Sequence, residues 1–155
     1  MTVAQRRGRK IMMTPGELDE FLTTQRTCRV ATVSADGAPH VSTLWFAWDG
    51  ISMWLYSVVR SKRWTDLTRN PKVAIVVDTG EEYDELRGVE LSGTVEFVGE
   101  SPRTGELRAE LDVPETLFAR KNFRLDEMPH DGRHAWIRLT PEKTISWDFS
   151  KLPPQ

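Results

Sequence analysis

From Thr27 to Ser34 apolar and polar residues alternate in steps of two, and two apolar-rich segments follow, 40–48 and 51–59, set off by Asp36-Gly37 and Asp49-Gly50. A period of two places successive side chains on opposite faces of an extended backbone, so the run reads as strand and not helix. Asp-Gly pairs supply the positive φ that tight turns need. Three strands are therefore predicted, over residues 27–34, 40–48 and 51–59, with a two-residue hairpin at Asp49-Gly50. Strands joined this closely form an antiparallel meander.

The flanking sequence fits a β-rich domain with a few helices. Thr14, Pro15 and Glu17 make a capping box with proline at the first helical position, and Leu18, Phe21 and Leu22 supply one apolar stripe. A short helix is expected over residues 61–69, ended by Asn70-Pro71. Strands follow over 72–78 and 89–100, the second with Gly93 marking a bulge or a close approach. Two further helices are predicted over 102–111 and 114–122, and two closing strands over 134–141 and 142–149. The expected architecture is mainly β: an antiparallel barrel of six to seven strands with flanking helices. Residues 11–150 read as one domain, 1–10 as a flexible arm and 151–155 as a tail; 155 residues suit a single core.

The stretch after the third strand carries the strongest chemical signal. SVVRSKRW crowds Arg60, Lys62 and Arg63 around Ser61, although the whole chain has a formal net charge of -2. Ser61 is the expected N-cap of the next helix. A helix start already bears free N–H groups and partial positive charge, so cations there are unfavourable unless an anion joins them. Phosphate is the natural occupant, held by N–H groups, a hydroxyl and cations that are expected to face solvent. The glycines of a phosphate-binding loop and of a dinucleotide fingerprint are missing. A solvated charged face is the plain alternative. Six tryptophans, four of them in residues 45–64, add a mixed polar and aromatic wall beside this junction. On the second strand His40, Ser42 and Leu44 share one face, and Val41, Thr43 and Trp45 the other. A phosphorylated planar cofactor fits such a wall.

Other classes fit poorly. One cysteine, Cys28, allows no internal disulfide, suits a reducing cytoplasm and reads as a core thiol. No apolar run reaches the roughly 18–20 residues of a membrane span, and the basic N-terminus lacks the apolar stretch of a signal peptide. Near-neutral charge gives no general field for nucleic acid. His130 and His134 lie among acidic residues, but their spacing matches no metal-ligand pattern, so no metal is expected.

On the segments ELDEFL, RVATVSADGAPHVSTLWFAWDG, LYSVVRSKRWTDLTRNPKVAIVV, VELSGTVEFV and TISWDF, the chain resembles the pyridoxamine-phosphate-oxidase-like, flavin-binding split β-barrel family. The likeness runs from about Thr14 to Phe149. The ATV-DG-PH-S--WF pattern and the closing SWDF are most similar to the deazaflavin-dependent branch, whose members use coenzyme F-420. The resemblance implies a homodimer with two cofactor sites at the subunit interface. It places His40, Val41, Ser42, Thr43, Leu44 and Trp45 along the ring, and Tyr56 and Ser57 as a hydroxyl pair. It places Ser61, Lys62 and Arg63 on the phosphate, in the order Lys-Arg where family members often have Arg-Lys. Arg60 is an extra cation in reach of a longer acidic tail, and Tyr83 and Trp147 are candidates from the partner chain. The implied activity is hydride transfer from reduced F-420 to an unsaturated or electron-poor small molecule, with Tyr56 or His40 as candidate proton donors. The alternatives are an FMN-dependent oxidoreductase and a non-catalytic binder of flavin, haem or fatty acid. The Arg-x-His signature of true pyridoxamine phosphate oxidases is not evident after Trp136, so that vitamin is not the expected substrate.

Overall fold

The computed structural model describes residues 2–154; Met1 and Gln155, the outermost residues of the expected arm and tail, lie outside them. Seven strands run β1 (Thr27–Val33), β2 (Pro39–Trp48), β3 (Met53–Val58), β4 (Lys72–Thr79), β5 (Arg87–Val98), β6 (His134–Leu139) and β7 (Lys143–Asp148). All the strand pairs are antiparallel, in the order β4-β1-β2-β3-β6-β5-β7, and β4 also pairs with β5. The first six therefore close into a barrel. β5 has one edge on β4 and divides the other: residues 87–92 pair with β7, and 95–98 with β6. Gly93 lies between the two regions, and a Cβ there would come within 3.2 Å of Glu142, so the expected close approach is real. The mainly β barrel with flanking helices is thus the fold of the chain.

Three helices complete it. α1 (Pro15–Thr24) opens on the predicted capping box, with Thr14 accepting from the Glu17 N–H and Glu17 from the Thr14 N–H. Its Phe21 and Leu22 are buried against Cys28, Val30 and Phe46 in the barrel interior. α2 (Lys62–Arg69) follows β3 and inserts Leu67 into the same core. α3 (Ala109–Phe118) lies on the outer face of β3 and β6 and covers a second core built on Trp54, Tyr56, Leu111, Phe118 and Trp136.

Several local expectations are corrected. The hairpin after β2 has four loop residues, since Trp48 pairs with Met53. Asp49 Oδ1 accepts from the N–H groups of Ile51 and Ser52, and this Asx-type turn removes residues 51 and 52 from the strand. The two helices predicted over 102–111 and 114–122 are one α-helix that runs into a π turn at Ala119–Phe123. Glu100 accepts from the N–H groups of Thr104 and Glu106, and Gly105 has φ 93, so residues 100–106 form a carboxylate-centred loop instead of a helical ladder. Arg103, 4% exposed, locks that loop to Glu100 and to Glu115 on α3. The stretch read as an arm runs along the free edge of β7. Val3 N–H donates to Glu142 O at 2.8 Å, and Gln5 exchanges hydrogen bonds with the Ser146 backbone.

Candidate functional site

Where β2 meets β3, the sheet opens. The two strands pair only at Phe46–Leu55, Ala47–Trp54 and Trp48–Met53, while β1 pairs with β2 all the way to Pro39 and β6 with β3 to Val58. Residues 39–45 therefore part from residues 56–58, and side chains bridge the gap. Arg63, in the first turn of α2, spans it: its Nε donates to Ser57 Oγ at 3.1 Å and its Nη1 to Ser42 Oγ at 2.6 Å. Ser61 caps α2, accepting from the Trp64 N–H at 3.1 Å, and lies 3.4 Å from Ser57 Oγ. The first-turn N–H groups of Lys62 and Arg63 have no intrahelical partner.

The two cations of the junction differ sharply. Arg63 was expected to face solvent; instead it is 8% exposed, because its long side chain turns back into the split. Among the described residues its guanidinium meets hydroxyls and no carboxylate. Burial pushes its pKa down, as it must for a cation without a counter-ion. Lys62 is half exposed and donates to Asp66 Oδ1 at 2.5 Å. Asp66 Oδ2 accepts from Thr32 Oγ1 at 2.9 Å. The Lys62 hydrogen bond holds the Asp66 carboxyl below its usual range, against the opposing effect of burial. Sequence reading missed Asp66, although Lys62 and Asp66 stand at the i,i+4 spacing that signals such a pair. Arg60 is exposed just before the helix.

The other candidates sort by face. Ser42 points inward to Arg63, and His40, on the same face of β2, is half-buried with its Nδ1 buried and without a hydrogen-bond partner among the described residues. Val41, Thr43 and Trp45 are exposed on the outer face of β2, and Arg26 lies over the Trp45 ring at 4.4 Å. Tyr56 and Ser57, read as a pair, point to opposite faces of β3: Ser57 to Arg63, and Tyr56 outward beneath α3. Tyr83 packs on Phe149 and Trp147 lies over Gly88. Both sit at the end of β4 away from α2, so a single chain does not bring them to the cradle.

Leu44 and Tyr56 line a cleft of about 500 Å³ together with Trp45, Phe118, Phe123 and His134. Sequence reading did not find it, because its walls come from β2, β3, the α3 end and the loop before β6, which no local pattern links. His134 stacks on Tyr56 at 4.8 Å and 14°, and its Nδ1 is 2.5 Å from Asp131 Oδ2. Burial pushes the Tyr56 hydroxyl well above its usual range, helped by Asp131 and Glu115. Glu115 is a hub: it accepts from Arg103 and Trp136 and meets His130 Nε2 at 3.2 Å. Burial raises its carboxyl, but these partners outweigh burial and hold it low. Among the described residues no three His, Cys, Asp or Glu side chains gather as a metal site, and no helix is long and apolar enough to cross a membrane.

Solved structures share this frame. A conserved hypothetical protein from Mycobacterium tuberculosis is 28% identical, with a TM-score of 0.77 over 99% of this chain and 96% of that one. An F-420 reductase is 27% identical, with a TM-score of 0.60 over 82% of this chain and 94% of that one. A haem storage protein from Vibrio cholerae is 20% identical, with a TM-score of 0.64 over 87% and 96%, a likeness of fold alone. No curated protein matches the sequence. The family of pyridoxamine 5'-phosphate oxidase matches residues 14–148, from the cap of α1 to the last residue of β7. That span holds the whole barrel and the split, and the chain belongs to the pyridoxamine 5'-phosphate oxidase family.

Proposed function

We propose that the chain is an oxidoreductase that holds the deazaflavin coenzyme F-420 at the split between β2 and β3 and uses it to reduce an electron-poor small molecule. One observation carries the reading: Arg63 is a buried guanidinium without a carboxylate partner among the described residues, beside a capped helix start and two serine hydroxyls. A buried charge is costly unless it is paired, and the pair that fits this donor set is a phosphate. The Ser61 and Ser57 hydroxyls, the first N–H groups of α2 and Arg63 would hold that phosphate. Lys62 would share its charge between phosphate and Asp66. Exposed Arg60 would meet a second acidic group on the cofactor tail.

The preference for F-420 rests on the 27% identity to an F-420 reductase and on the ATV-DG-PH-S--WF pattern of β1 and β2. When bound, the ring supplies hydride. The chain's own part is to anchor the phosphate and lay the ring along β2. A second copy of the chain is the proposed cover for the other side of the ring. Val41 is exposed on the outer face of the barrel beside Ala31, Ala74 and Val76, a small apolar surface flanked by Arg29, Asp78 and Glu90 that would suit pairing. Tyr83 and Trp147 would then come from that second copy.

The test is a titration of the full chain with oxidised F-420 and, separately, with FMN, followed by tryptophan quenching. Tighter binding of F-420, with dilution to monomer abolishing it, is the expected result. Tighter binding of FMN moves the assignment to a flavin enzyme. Failure of both to bind ends the reading.

A further inference from the structure

The cradle explains Ser42, Ser57, Ser61 and Arg63, but it leaves the cleft under α3 without a role. We propose that this cleft, walled by Leu44, Trp45, Phe118, Phe123 and His134 over Tyr56, is the substrate subsite. Its ligand is a flat, uncharged aromatic compound of about two rings, bearing one hydrogen-bond acceptor for Tyr56 Oη. The word substrate rests on the oxidoreductase reading above; the binding site itself rests on the cleft.

Four features of the cleft support this. Its volume of about 500 Å³ lies in the range of small-molecule sites. Its walls are mostly apolar or aromatic, and the rings are held in place: His134 is stacked parallel on Tyr56, and Phe118 is tilted against it at 5.8 Å. Asp131 fixes the His134 ring through Nδ1 and accepts from the N–H groups of Arg133 and His134, so the loop that forms this wall is tied down. Tyr56 is only 8% exposed, and its hydroxyl is buried with no hydrogen-bond partner among the described residues. Such a group is costly to leave unpaired, and an acceptor entering the cleft is what would pair it. Because the hydroxyl keeps its proton, it can donate. Asp131, which lines the cleft, favours a neutral ring over an anion, while Glu115 behind it is already paired with Arg103.

The position agrees with the chemistry. Tyr56 directly precedes Ser57 on β3 but turns to the opposite face, while Leu44 stands two residues from Ser42 on the same face of β2, so cleft and cradle adjoin across the split. A ring anchored by phosphate at Arg63 and laid along β2 would lie beside Leu44, which lines the cleft. Ring and ligand would then meet at the split.

The experiment uses the full chain without cofactor and two non-redox probes, 2-acetonaphthone and its carbonyl-free analogue 2-isopropylnaphthalene. Quenching of tryptophan emission reports binding, since Trp45 stands at the rim. Tyr56→Phe is expected to weaken the ketone about tenfold and leave the hydrocarbon unchanged. The same variant should melt at a higher temperature than the parent, because it removes an unpartnered hydroxyl; this shows that its fold is intact. The anionic 2-naphthoate is expected to bind more weakly than the ketone. Equal ketone affinity in Tyr56→Phe and parent overturns the proposal. So does displacement of the ketone by saturating FMN or F-420, which would make the cleft the seat of the cofactor ring. Arg63→Met separates the two readings: it should lose cofactor and keep the ketone. If the parent binds the ketone with this Tyr56 dependence but binds neither cofactor, the cradle assignment falls and the cleft remains a ligand site.

Discussion

Replacing Arg63 and Lys62 one at a time by methionine should separate binding from stability. Among the described residues Arg63 donates to the Ser42 and Ser57 hydroxyls alone, and burial pushes its pKa down. Arg63→Met therefore removes a charge whose burial opposes folding together with two hydrogen bonds that favour it. The two effects offset, and the change in unfolding free energy should stay within about 1 kcal/mol. The phosphate, by contrast, loses a charge-assisted contact in a dry site. Contacts of this kind contribute about 1.5–3 kcal/mol each, so the cofactor should bind about 10- to 150-fold more weakly. Lys62→Met should do the reverse. Its ammonium is half exposed and already engaged by Asp66, so affinity falls less. Asp66 is left in a closed environment with only the Thr32 hydroxyl, so the urea midpoint falls. Fluorescence titration and urea unfolding on the same three proteins provide the comparison. Parent-like affinity in Arg63→Met, or a larger stability loss there than in Lys62→Met, would refute the reasoning.

Two further outcomes follow from the core. Burial pushes Lys121 down to about 8 and Cys28 up to about 12. Unfolded lysine titrates near about 10.4 and cysteine near about 8.5. As pH rises from about 8.5 to about 10.4, the unfolded chain holds the extra proton at Lys121, which raises stability, while the folded chain holds it at Cys28, which lowers stability. The parent should therefore unfold at nearly constant urea concentration across that window. Lys121→Met should lose stability by up to about 1.4 kcal/mol per pH unit, and equal slopes in both proteins would contradict the assignment. At Gly88 an added Cβ would lie 2.5 Å from Trp147 Cζ2 and 2.9 Å from Val77 O. Gly88→Ala should cost about 1–3 kcal/mol and shift tryptophan emission; unchanged emission and stability would show that Trp147 does not rest there.

The fold was legible where local chemistry and long-range packing agree. The capping box at Thr14 and Glu17, the alternation along β1 and β2, and the Ser61 cap all describe backbone hydrogen bonds made within a few residues. What misled the reading was competition for those same bonds. The Asp49 and Glu100 carboxylates capture N–H groups that a two-residue turn and the start of the helix expected over 102–111 would have used. At the site, the serine and cation cluster was visible because it is contiguous in sequence. The burial of Arg63 was not, since it depends on how far β2 and β3 part. The cleft under α3 was illegible for the same reason: Leu44, Tyr56, Phe118 and His134 meet only after four separate elements have docked.

The parting of β2 from β3 leaves a row of peptide N–H and C=O groups facing no neighbouring strand. Peptide groups of this kind can read the edge of a heterocycle whatever side chains flank them. Swapping side chains at Val41 or Thr43 would leave that row untouched, so tolerance of such swaps does not mean that the segment is idle. Only proline, which deletes a donor outright, would expose what the main chain contributes there.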